Sequence, residues 1–276
     1  MPTCDTASMF WTEYPRDIVE VAGPDSSTYL QSQLTQELRP LQVGDSTGSF
    51  VLQPTGKVEV LLRVWRTGDE VFVLDTDAGF GEALIARLNR FKIRVKVDIA
   101  PLAWRCLAIR DDSEHDGEHD GAGNEPDDIR PNDPRPGVRP AGAVVAWGSG
   151  YDLLGPAPEP PAGADAGDAD RLRAARVAAV WPSMGSEIVP GETIPAETGV
   201  VPAAVSFTKG CYPGQELVER MDSRGAAAPR LLRRVDVAPG TRAGDPFVVD
   251  GATVGTVTTV SRTEALASIK RGALPD

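Results

Sequence analysis

Apolar side chains along this chain alternate between two rhythms, one close to two residues and one close to four. Residues 18–21 begin a short strand. Gly23-Pro24-Asp25 then opens a helix on which Tyr29, Leu30, Leu34 and Leu38 recur at helical spacing, giving it one apolar stripe. Residues 49–53 and 58–65 read as strands joined by the turn Pro54-Thr55-Gly56-Lys57, and Thr67-Gly68-Asp69 leads into a third strand at 71–74. Phe80, Leu84, Leu88 and Phe91 mark a second helix. Ile93, Val95, Val97 and Ile99 alternate with polar residues, as in a half-buried strand. Strands follow at 104–109 and 143–147, then a helix at 171–180. The order β-α-β-β-β-α-β-β is not the strict alternation of a doubly wound sheet, so the expected class is α+β.

Past Gly225 the pattern becomes short β-type runs at 231–237, 246–249, 252–260 and 265–269, with Asp250-Gly251 as a hairpin signal between two of them. This predicts a small antiparallel barrel of roughly fifty residues, docked on the larger part because alone it would be marginal. The expected division is residues 1–228 and 229–276, with flexible acidic insertions near 111–142 and 155–170 interrupting the first part.

Charge changes the picture less than its total suggests. The 276-residue chain carries 28 basic and 40 acidic side chains, a net charge of −12. Residues 111–135 alone hold ten acids against Arg130 and Arg135, and residues 155–170 add Glu159, Asp165, Asp168 and Asp170 with no base. Both stretches are rich in Pro, Gly and Ala, too poor in apolar residues to offset the entropy of ordering, and read as mobile insertions. The remaining body is close to neutral.

The balance excludes a broad phosphate-coating surface, and strong direct nucleic-acid binding is not expected. No apolar run approaches the roughly 20 residues of a bilayer span. The first cation is Arg16, so the start lacks the basic region of a secretory signal. Cys4, Cys106 and Cys211 are too few and too scattered for a disulfide framework, which predicts a reducing, cytosolic setting.

The densest chemistry lies in Lys209-Gly210-Cys211-Tyr212-Pro213-Gly214-Gln215-Glu216. Tyr212-Pro213-Gly214-Gln215 suits a type II turn, Pro fixing φ at its second position and Gly accepting positive φ at its third. Such a turn would hold Cys211 at the mouth of a rigid loop, and Gly210 leaves room beside the sulfur. If residues 203–207 are a strand that runs on, Lys209 and Cys211 face the same way, and the ammonium favours thiolate. The alternative is a small buried cysteine and a solvated lysine.

The string KGCYPGQELVER, Lys209 to Arg220, resembles the signature of the YgfZ-type folate-binding proteins, relatives of the glycine-cleavage T-protein (aminomethyltransferase). Further similarity runs through Val21 to Leu38, Arg176 to Gly185, Ile194-Pro195-Ala196-Glu197 and the C-terminal tail, so it spans nearly everything outside the acidic insertions. The resemblance implies subdomains around a tetrahydrofolate-sized channel followed by the barrel. It also implies an accessory role in making or repairing iron–sulfur proteins, tRNA-modifying enzymes among them, with a folate derivative and iron–sulfur clients as partners.

Carried over residue by residue, it places Cys211 and Lys209 at the chemistry, and Gly210, Tyr212, Gln215, Glu216, Arg220 and Arg176 at the cofactor. Two departures count against aminomethyl transfer. The acidic pair of T-proteins falls on Val60 and Leu61 here, with Glu59 one residue off and on the other face. Their pterin-holding glutamate falls on Ala178. Tetrahydrofolate binding is therefore expected to be weak, and the chain is not expected to be a conventional turnover enzyme. The alternatives are a folate-dependent aminomethyl- or one-carbon transferase, and an interaction module without folate.

Other groups carry less. His115 and His119 sit four apart beside carboxylates, but Gly117 and the flanking residues read as a solvated loop, so no metal site is assigned. Arg220, Arg224, Arg230, Arg233 and Arg234 form a basic run read as a solvated edge or an anion patch. Trp104, Trp147 and Trp181 read as core.

Overall fold

The computed structural model describes residues 9–111, 142–223 and 228–274. Cys4, His115, His119, Arg224 and the acidic stretch from Asp112 to Pro140 lie outside the described residues.

The chain forms β1 (Met9–Glu13), β2 (Arg16–Ala22), α1 (Ser26–Gln33), β3 (Ser46–Leu52), β4 (Val58–Arg66), β5 (Val71–Asp77), α2 (Gly81–Arg90), β6 (Asp98–Leu102) and β7 (Arg105–Asp111). It continues as β8 (Ala143–Val144), β9 (Gly150–Gly155), β10 (Asp165–Ala166), α3 (Ala169–Ala178), α4 (Val201–Ala204), α5 (Gln215–Ser223), β11 (Arg230–Asp236), β12 (Pro246–Val249), β13 (Ala252–Ser261) and β14 (Glu264–Lys270). These make an antiparallel sheet β3-β4-β5-β2-β6, a second sheet β10-β1-β7-β9-β8, and a C-terminal antiparallel sheet β11-β14-β13-β12.

Alternation along β4 divides two interiors. Val60, Leu62 and Val64 join Leu30, Leu84 and Leu88 in the core beneath α1 and α2. Leu61 and Arg63 point the other way, as the two-residue period requires. Arg63 meets the second sheet there through a buried charge network. It pairs with Asp75 at 2.7 Å and with Asp152 of β9; Arg16 joins Asp75 at 2.7 Å and Arg110 joins Asp152 at 2.6 Å. Burial would raise the Asp75 carboxyl, but the Arg63 and Arg16 guanidiniums outweigh it and hold it below its usual value.

The C-terminal sheet opens its β12–β13 hairpin at Asp250 and Gly251, with φ of +50° and +80°, the pair of positive angles that a two-residue type I′ turn requires. Leu232 and Leu266 pack on Val177 of α3.

The α+β class and the β3-β4-β5 meander agree with the sequence pattern. Several expected boundaries do not. The strand predicted from Ile93 starts only at Asp98; Arg94 has φ of +58°, and Ile93 is exposed, so the alternation there is not a pleat. Helix α1 ends at Gln33, yet Leu34 and Leu38 still reach the core from the following loop. The strand expected at 143–147 is only two residues long. Within 155–170, taken as a mobile insertion, β10 pairs in parallel with β1, and the Asp168 side chain accepts from Arg171 N at 2.8 Å to cap α3. Strands β1 and β9 were not anticipated.

Candidate functional site

Lys209 does not lie beside the Cys211 sulfur on a shared strand face. Residues 203–207 are not a strand: Val201–Ala204 is a short helical turn with Pro202 in its first turn; it lies against Gly48 of β3, and Thr35 Oγ1, from the loop after α1, donates to Ala204 O at 2.6 Å. Without the strand there is no two-residue parity to align the two side chains. Lys209 instead turns inward and is buried. Its ammonium donates to the carbonyls of Gln31 at 2.7 Å, Gln36 at 3.1 Å and Leu34. Burial lowers its pKa to about 8 against the opposing pull of Glu37, so it is charged at neutral pH.

Cys211 emerges on the outside. It is exposed, and a Cβ on the neighbouring Gly210 would meet nothing within 4 Å, so the approach to the sulfur is open on that side. Tyr212 goes back into the interior, packed with Phe50, Leu52 and Val218. The turn read from Pro213-Gly214 is present: Gly214 has φ of +86°, and Gln215 N donates to Tyr212 O at 3.3 Å. The thiol thus sits between two buried side chains on a loop closed by a turn. The other described cysteine, Cys106, is buried and its pKa is pushed up to about 12, chiefly by burial and then by Asp152.

The remaining expected ligand residues are dispersed. Gln215 opens α5 and its side-chain oxygen accepts from Tyr212 N at 3.4 Å, so it serves the turn. Glu216 and Arg220 are exposed on α5. Arg176 is committed elsewhere: it donates to Trp181 O at 2.8 Å, Glu187 at 2.8 Å and Thr259 Oγ1 at 2.7 Å, linking α3 to the C-terminal sheet. Ala178 is exposed on α3.

A cavity of about 50 Å³ lies between the two five-stranded sheets, lined among others by Tyr14, Arg16, Leu61, Asp77, Trp147 and Trp181. Two tryptophans read as core therefore also form its wall. Its carboxylate is Asp77, already taken by the Arg16 ion pair and by donors from Ser183 Oγ at 3.2 Å and Met184 N at 2.8 Å. Val60 is in the core on the far side, and Glu59 pairs with Arg87 at 3.1 Å. Small-molecule sites usually offer about 300–1,000 Å³. A tetrahydrofolate does not fit this cavity.

A second concavity of about 300 Å³ was missed. Ile194, Pro195, Val201, Phe207, Leu217 and Met221 line an apolar groove between α5 and the preceding loops. The signal was available as Leu217, Val218 and Met221, a one-and-four spacing that gives α5 one apolar side. Among the described residues no group of three His, Cys, Asp or Glu converges as a metal site, and no helix is long and apolar enough to cross a membrane.

No family model matches the sequence. Individual proteins do. The human mitochondrial iron–sulfur cluster assembly factor IBA57 is 30% identical over 280 residues, covering 94% of this chain and 74% of the human protein. The chain belongs to the IBA57 family. A homologue from Pyricularia oryzae, also mitochondrial, is 28% identical over 232 residues, and the match spans 54% of that longer protein. An uncharacterised protein of Haemophilus influenzae is 27% identical over 217 residues, 68% of its length. In fold, the glycine cleavage system aminomethyltransferase T from Bartonella henselae superposes with a TM-score of 0.70 over 96% of this chain at 17% identity.

Membership of the IBA57 family bears out the YgfZ-type resemblance, and the superposition bears out the T-protein-like fold. The cytosolic expectation is overturned, because the named relatives are mitochondrial. Its basis was the scatter of cysteines, which speaks for a reducing environment and does not distinguish one such compartment from another.

Proposed function

We propose that this chain is an accessory factor of iron–sulfur cluster assembly or repair that works through the Cys211 thiol. One observation carries the reading: Cys211 is exposed on a loop closed by a turn, whereas Cys106 is buried with its thiol proton held. The names of the relatives supply the pathway. Among the described residues Cys211 is the one exposed thiol, and one thiol does not enclose a cluster, so the partner is another protein that brings the remaining groups. That role belongs to iron–sulfur client proteins, the tRNA-modifying enzymes among them by the family resemblance.

The aminomethyltransferase alternative has little support. Val60 and Leu61 stand where the reaction needs carboxylates, and Asp77, the carboxylate of the central cavity, is engaged by Arg16. The small volume of that cavity likewise gives little support to a tetrahydrofolate bound there.

The reading is tested in cells lacking this protein, by measuring the activity of an iron–sulfur enzyme after complementation. The wild-type chain restores activity and Cys211→Ser does not, at equal abundance and thermal midpoint. Full restoration by Cys211→Ser would remove the thiol from the mechanism.

A further inference from the structure

Helix α1 has no basic residue in its last turn, so no local cation answers the negative dipole end and the carbonyls left without an amide partner there. The answer comes from far along the chain. Lys209, 175 residues beyond Leu34, places its ammonium among three carbonyls at and just beyond this helix end. An ammonium has three N–H donors, and here each finds one carbonyl. The Tyr212 ring stands 5.2 Å from the Nζ and adds its face to the enclosure. The acid that reaches this ammonium electrostatically, Glu37, is itself held by Arg39 through a 2.7 Å hydrogen bond. Lys209 is therefore secured by carbonyls and an aromatic face, with no direct carboxylate partner among the described residues.

Its position in sequence gives this arrangement a consequence for the thiol. Lys209 and Tyr212 are both buried; Gly210 and Cys211, between them, are both exposed. On the far side the turn at Gly214 seats directly on the β3–β4 turn, with no space for a side chain.

We infer that Lys209 is a positioning residue for Cys211, its ammonium pinning one end of the thiol loop to the end of α1 while Tyr212 and Gly214 pin the other. This rests on the reading of Cys211 as the working thiol, and it changes the role of the lysine. The cation fixes where the sulfur is, through three hydrogen bonds made away from it.

Two of the measurements follow the loop itself and need neither client nor cluster, so they stand or fall separately from the proposed function. A methanethiosulfonate nitroxide is attached to Cys211 in a Cys4→Ser background, Cys106 being buried. With Lys209 the spectrum is dominated by an immobilised component. Lys209→Met keeps the length of the side chain and loses all three donors, so the mobile component dominates. Lys209→Arg keeps the charge with a different donor geometry and falls between them. Hydrogen exchange of the unlabelled protein gives a second measure at the pinned ends: the Leu34 amide, which donates to Leu30 O at 3.0 Å, and the Gln215 amide, which donates to Tyr212 O at 3.3 Å, are protected, and Lys209→Met lowers the protection of Leu34 about tenfold or more. In a complementation assay Lys209→Met then loses activity that Lys209→Arg partly restores, a rescue that a purely steric role would not give. Identical spectra for the wild type and a cooperatively folded Lys209→Met overturn the inference. Should Lys209→Met not fold, a spectrum dominated by the mobile component in the wild type overturns it equally.

Discussion

Gly214 lies against Gly56 with no space for a side chain between them. A Cβ on Gly214 would fall 2.9 Å from Gly56 Cα and 2.5 Å from Gln53 O, and a Cβ on Gly56 would fall 3.0 Å from Gly214 O. Two turns far apart in sequence, one joining β3 to β4 and one leading into α5, are thus pressed together backbone to backbone.

Gly214→Ala combines this overlap with a φ of +86°, a conformation that costs a residue with a Cβ about 1–3 kcal/mol. The expected result is a drop in thermal midpoint of several degrees, with faster hydrogen exchange at the Gln215 amide that closes the turn on Tyr212 O. Gly240→Ala has the same kind of φ but nothing within 4 Å of its Cβ, so it loses less stability and leaves the thiol loop unchanged.

The charge network between the sheets gives a second prediction. Asp152 has no exposed surface and is shared by Arg63 and Arg110. Asp152→Ala leaves both guanidiniums buried without that carboxylate, a loss of about 3–5 kcal/mol. Glu13→Ala breaks the exposed Arg105–Glu13 pair and costs about 0–1 kcal/mol. Urea unfolding of the two variants separates these magnitudes cleanly.

The two described cysteines differ in what can reach them. Iodoacetamide at pH 8 modifies Cys211 in the native protein, while Cys106, with its pKa pushed up to about 12, stays unmodified until the protein unfolds. The same shift makes stability depend on pH. The unfolded thiol ionises near ~8.5, so folding favours the protonated form; this contribution is complete below ~8.5 and is lost as pH rises toward the folded value. Unfolding curves between pH 8 and 10 therefore show a decline that Cys106→Ala reduces. No such reduction would mean that Cys106 is not shielded from ionisation.

The C-terminal sheet is expected to be indispensable. Arg176, Glu187 and Thr259 form a half-buried hydrogen-bonded link, and Val177 packs on Leu232 and Leu266. Ending the chain after Ala228 removes Thr259 and both leucines, leaving the Arg176–Glu187 pair open to water and Val177 uncovered. The truncated protein should aggregate, or lose its cooperative unfolding in calorimetry. A soluble fragment with a sharp transition would refute the dependence.

These features were legible to different degrees. The β3-β4-β5 meander and α2 follow directly from period because each buries a regular face against a single core: Val60, Leu62 and Val64 on one side of β4, Leu84 and Leu88 on α2. Strand β9 escaped notice because its apolar part is Tyr151, Leu153 and Leu154 between two glycines, beside a run of prolines and acids. The alternation at 93–97 misled because one residue with positive φ, Arg94, breaks a strand without changing its hydrophobic pattern.

The site divides in the same way. The turn at Pro213-Gly214 is local chemistry and can be read from four residues. The inward course of Lys209 depends on carbonyls 173 to 178 residues earlier and on α4 replacing a strand, and neither leaves a local trace.

The Lys209 contact also sets an order of events during synthesis. Leu34 leaves the ribosome long before Lys209 is made, and at about 5–20 residues per second the 175-residue gap lasts on the order of 9–35 s. Throughout that interval the end of α1 faces water with its carbonyls unmet by any cation of the nascent chain at this position. The thiol loop and the helix end therefore complete each other in a single late step. An N-terminal fragment released early carries the end of α1 without its cation and no thiol loop at all.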